Sequence, residues 1–75
     1  MINLNFDYSK LYGKIREICK TQEEFAKLLG ISRSTLNCKL KNNSEFTQNE
    51  IDKSIQILDI PNIEISKYFF TIKVQ

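Results

Sequence analysis

The stretch FAKLLGISRSTL, Phe25 to Leu36, decides the fold. An apolar, helix-forming run ends at Gly30, and a second begins directly after Ser32. A glycine just past such a run marks a left-handed cap, where the missing Cβ removes the steric cost of positive φ. A serine just before a run marks an N-cap, its hydroxyl accepting from a free amide of the first turn. Only Ile31 lies between the two signals. Two helices therefore meet across a turn of about three residues, with an apolar side chain in the bend.

Two repeated tetrads delimit the helices on either side. TQEE (Thr21 to Glu24) and TQNE (Thr47 to Glu50) both fit a capping box, threonine at the N-cap and glutamate three residues on. One helix then runs from Gln22 to Leu29, the next from about Arg33 to Lys41, and a third from Gln48 to Leu58. Upstream, Asp7 can cap a helix whose apolar positions, Tyr8, Leu11, Tyr12, Ile15, Ile18 and Cys19, trace one face, with Gly13 off that stripe. Downstream, Pro61 ends an exit turn and Asn62 stands before a last short helix with Ile65, Tyr68 and Phe69 inward. INLNF near the start and FTIKV near the end alternate apolar and polar residues and read as short β-strands. They pair with one another or with a second chain.

Seventy-five residues make one domain, 1–75. A chain this short buries only roughly 60 % of its unfolded surface, so the core is small. No run approaches the ~20 apolar residues of a membrane span. The start lacks a basic region followed by an apolar block, which points to a cytoplasmic protein. With two cysteines and no histidine, neither a zinc ligand set nor a CxxC pair is available. Cys19 and Cys38 read as small hydrophobes within helices. The same inventory offers no general base beyond carboxylates and lysines, and the small core leaves little room for a cleft. An enzyme is not expected, nor a cofactor.

Net charge is only +2, but it is unevenly spread. Phe25 to Ser44 holds four cations (Lys27, Arg33, Lys39, Lys41) and no acid, whereas Glu45 to Gln75 holds five acids against three lysines. That asymmetry suits a one-sided electrostatic footprint.

Counting from Gln22, Ala26 is fifth, Gly30 ninth and Leu36 fifteenth, with Phe25, Leu29 and Ile31 apolar between them. This resembles the helix-turn-helix of phage Cro and repressor proteins, and the whole chain is similar to small Cro-like phage regulators. The resemblance implies a mainly α, compact five-helix lambda repressor-like domain with its helix-turn-helix at about 22–41. Sterics agree: helices crossing steeply require a small residue at one close approach, and Ala26 supplies it. One position departs. The eighteenth is usually apolar in that family and here is Lys39, with Leu40 beside it. Leu36 and Leu40 set the buried direction of the helix at 100° per residue, which places Lys39 on a flank.

The function implied by the resemblance is a sequence-specific regulator, Cro or repressor in type, whose second hairpin helix enters the major groove of an operator. Arg33, Ser34 and Cys38 are then the base readers, with Thr35 and Asn37 as second choices. Arg33 suits the O6 and N7 of guanine, and Cys38 offers apolar contact to a thymine methyl. Gln22, by the same resemblance, holds a phosphate at the start of the supporting helix. Lys39, Lys41, Asn42 and Asn43 are candidate phosphate contacts, and Ser32 is mainly a cap. A reading helix of nine residues is ~13 Å long, which covers few base pairs. A homodimer on two half-sites ~34 Å apart is therefore expected. The alternative is a protein-binding module or antirepressor that keeps the hairpin without DNA binding, for which the low net charge speaks.

Overall fold

The interrupted hairpin closes as the punctuation in the sequence dictates. In the computed structural model, which describes residues 5–73, α1 spans Ser9–Cys19, α2 Gln22–Leu29, α3 Arg33–Leu40 and α4 Gln48–Leu58. A single 3-10 turn, Asn62–Glu64, leads into the short α5, Ile65–Phe69. The fold is mainly α, with five helices and an isolated antiparallel bridge between Phe6 and Ile72.

Gly30 has φ 82°, and its amide donates to the Lys27 carbonyl at 3.1 Å. The Ile31 amide donates to the Ala26 carbonyl at 3.0 Å, completing a Schellman cap. α3 ends the same way, with Asn42 at φ 66° in the glycine's role. The amides of Asn42 and Asn43 close onto the carbonyls of Lys39 and Cys38 at 3.1 and 2.8 Å. At α4 Asp59 takes this place with φ 53°. No atom lies within 4 Å of a Cβ built on Gly30, so backbone conformation alone opposes a substitution there. Gly30→Ala is expected to cost about 1–2 kcal/mol in urea denaturation, the left-handed penalty of a residue with a Cβ.

The N-caps differ in completeness. Thr47 Oγ1 accepts from the Glu50 amide at 3.1 Å while Glu50 Oε1 accepts from the Thr47 amide at 2.9 Å, a full box. At α2 the Thr21 hydroxyl accepts from the Glu24 amide at 3.1 Å, and that is the side-chain cap formed there. Asp7, expected to cap α1, accepts from the Ser9 amide at 2.9 Å, with Tyr8 as the residue at the helix boundary.

One core joins all five helices. Leu11, Ile15 and Cys19 of α1 meet Phe25, Ala26 and Leu29 of α2, Leu36 and Leu40 of α3, Leu58 of α4 and Phe69 of α5. Phe46, in the loop before α4, stacks edge-on against Tyr8 and Phe69, each ring centroid 5.5 Å away. Ala26 and Leu36 are both buried where α2 and α3 pack. Ile31 is partly buried against the same core, as expected of the residue in the bend.

The alternating ends meet within one chain. The Asp7 amide donates to the Thr71 carbonyl at 2.7 Å, and the Lys73 amide donates to that of Asn5 at 2.9 Å. Ile2, Leu4 and Val74, the outer residues of the expected strands, lie outside the described residues.

Candidate nucleic-acid interface

α3 presents one face to the core and another to solvent. Leu36 and Leu40 are buried, while Arg33, Ser34, Thr35 and Cys38 are exposed and Asn37 is half-exposed. The Ser32 hydroxyl accepts from the Thr35 amide at 3.1 Å and lies 2.9 Å from the Thr35 hydroxyl. It caps the helix, as expected, and engages Thr35 locally. Lys41 and Asn43 follow on the exposed side of the helix end. Cys38, expected as a small hydrophobe, is an exposed free thiol, whereas Cys19 is buried. Burial first, and Glu24 second, push the Cys19 thiol up.

Two expected phosphate contacts are spent inside the protein. Lys39 is 7 % exposed, and its Nζ lies 2.9 Å from Glu50 Oε1. The ammonium also donates to the Glu45 carbonyl at 2.8 Å and sits 6.0 Å from the centre of the Phe46 ring. Burial pushes the Glu50 carboxyl up, but hydrogen bonds from Thr47 and Lys39 outweigh it, and the pKa falls below the usual carboxylate value. Lys39 thus ties α3 to the capping box of α4. Asn42 likewise turns inward: its Oδ1 accepts from the Phe6 amide at 2.9 Å, and its Nδ2 donates to the Phe6 carbonyl at 3.0 Å. Neither side chain is left to grip a phosphate.

Two cations that the sequence reading did not single out, Arg16 of α1 and Lys20 just past its end, lie beside the hairpin. An open cleft of about 590 Å³ runs between the end of α1 and the start of α2. Arg16 and Lys20 line it together with Tyr12, Thr21, Gln22 and Arg33. Among the described residues, no carboxylate lines it. Glu17, the nearest acid in sequence to Arg16, lies 3.6 Å from Lys14 instead. Glu23 and Glu24 occupy the first turn of α2 and offset the positive end of that helix. Arg16, Lys20 and Arg33 are the cationic residues of the cleft lining, and the Lys20 ammonium donates to the Glu17 carbonyl at 3.3 Å. Gln22, the first residue of α2, is half-buried and lines the same cleft. The one available signal in the sequence is that Arg16 and Lys20 lie one helical turn apart immediately before the hairpin.

Among the described residues, no helix is long and apolar enough to cross a membrane, and no group of three or more His, Cys, Asp or Glu is placed to hold a metal.

Known proteins match this chain at two levels. No curated protein matches it. A family model described as a protein of unknown function, DUF739, matches residues 4–72. Among solved structures, the solution structure of the modulator of repression of the temperate bacteriophage TP901-1 from Lactococcus lactis superposes with a TM-score of 0.77. The two are 41 % identical, over 93 % of this chain and 95 % of that one. Fold and sequence are thus similar to those of a phage regulatory protein, and the chain belongs to the DUF739 family.

Proposed function

We propose that this protein is a DNA-binding regulator of repression that lays α3 in the major groove of an operator. The carrying observation is the exposed, acid-free face of α3 beside a cation-lined cleft. Ser34 and Cys38 stand on that face as base readers, with Thr35 and Asn37 next to them, and Arg33 sits where the face meets the cleft. Lys41 and Asn43 reach the backbone past the helix end. The relative's description as a modulator of repression supports a role in a phage regulatory switch, and the hairpin resembles that of Cro and repressor proteins. At eight residues α3 is ~12 Å long, so specificity calls for two copies on one operator.

A protein-binding regulator is the second reading. The inward turn of Lys39 and Asn42 favours it, because it thins the basic surface available to DNA. Anisotropy of labelled duplexes against increasing salt separates the two. A DNA binder using Arg16, Lys20, Arg33 and Lys41 shows a log–log slope of about −3 to −4 per protomer. A duplex affinity that is negligible at low salt would exclude the first reading.

A further inference from the structure

We infer that Asn42 is a positioning residue: it latches the end of α3 to the paired chain ends, so that the terminal ribbon governs how α3 is presented. The positioning role rests on the duplex-DNA reading above, whereas the latch stands without it.

The left-handed position after a helix suits glycine best, and Gly30 fills it after α2. After α3 the same place, at φ 66°, is held by Asn42. Its amide and that of Asn43 close the cap on the Lys39 and Cys38 carbonyls. Glycine does this at no steric cost, so the cap alone does not call for a side chain. The side chain has a second task, at the ribbon. Hydrogen bonds from Asp7 to Thr71 and from Lys73 to Asn5 flank the bridge between Phe6 and Ile72. That pattern turns the N–H and C=O of Phe6 itself toward the opposite edge. Asn42 meets both of them there, at 2.9 and 3.0 Å. A primary amide carries the acceptor and the donor of a peptide unit, so one side chain stands in for a third strand. Aspartate, the left-handed residue after α4, supplies the acceptor but not the donor.

One residue thus performs both tasks, and the cap of α3 and the ribbon form or open together. Phe6 is held further by Tyr8 and Phe70, with ring centroids 6.2 and 6.1 Å away. Asn42 lies between Lys41 and Asn43, the exposed residues assigned above to the DNA backbone. Turned inward, it acts through them. A macromolecule that grips or opens the chain ends thereby changes how α3 meets its groove.

The test uses the full-length protein and begins with amide hydrogen exchange in the absence of DNA. Asn42→Gly keeps the left-handed cap and removes the clamp. The Phe6 amide should exchange about two- to tenfold faster, with the Gly30 and Ile31 amides unchanged as an internal reference. Lys73→Pro opens the ribbon from its other strand, by deleting the N–H that Asn5 accepts. The Asn42 and Asn43 amides should then exchange faster, although the bond removed belongs to Asn5. On a duplex selected from a random pool, Asn42→Gly should bind about three- to tenfold more weakly. Its salt slope stays that of wild type, because no cation is removed. An unchanged Phe6 amide in Asn42→Gly, or unchanged cap amides in Lys73→Pro, would overturn the latch. Wild-type affinity in Asn42→Gly, or a shallower slope, would overturn the positioning role. If wild type binds no duplex, the DNA reading falls and the positioning role with it, while the exchange rates still decide the latch.

Discussion

Lys39→Ala should lower the unfolding free energy by about 3 kcal/mol, because it strands a partner of an internal ion pair. The variant loses the 2.9 Å contact to Glu50, the hydrogen bond to the Glu45 carbonyl and the stem packed near Phe46. A domain of this size has roughly 4–11 kcal/mol in all, so the change is large. Removing both charges is a different experiment. Lys39→Met with Glu50→Gln keeps the volume and the acceptor for the Thr47 amide, and should fall within about 1 kcal/mol of wild type. Urea titration of the single and double variants decides it. If Lys39→Ala unfolds at the wild-type midpoint, the ion pair contributes nothing.

The pair also sets an acid limit. The folded-state pKa of Glu50 lies below its ordinary value of 4.5, so its contribution is present above that pH. It is lost as pH falls from there through the depressed folded value. In Lys39→Ala part of that depression disappears, and the stability curve should flatten in this window.

Phe69→Ala is the second large effect, expected at about 3–5 kcal/mol. The ring is 2 % exposed and packs edge-on against Phe46, which in turn meets Tyr8. Its neighbour Phe70 is half-exposed and touches Phe6 at a centroid distance of 6.1 Å. Phe70→Ala should therefore cost under about 1 kcal/mol. Thermal melts of the two single variants measure the contrast directly. Equal losses would mean that α5 is docked by the terminal ribbon rather than by the core.

The contrast between these neighbours shows what the sequence made legible. Helix limits were readable wherever a local signal sets them. Gly30, Ser32 and the two threonine caps act on backbone groups within three or four residues, so α2 begins and ends, and α3 and α4 begin, at the residues those signals name. The destinations of long side chains were harder to read, because their partners sit on other elements. Lys39 appeared to flank α3 when only Leu36 and Leu40 were used to set the buried direction. The family pattern carried the better signal, since it makes that position an inward one. The site is inward here too, with a cation that Glu50 neutralises. Asn42 was read from its place after a basic helix, whereas its task depends on Phe6, far away in sequence. Arg16 and Lys20 escaped notice because a helical stripe calculation sorts residues by burial and is blind to what the outer face adjoins.

The free thiols carry a practical consequence. Cys38 stands exposed on the face of α3, while Cys19 is buried and its pKa is raised. Thiolate is the species that alkylating reagents attack, so the two sulfurs fall into separate kinetic classes. The unmutated protein therefore carries one addressable chemical handle on the surface of greatest interest. The rate at which a maleimide consumes it becomes a clock for how long that face stays uncovered, whichever macromolecule does the covering.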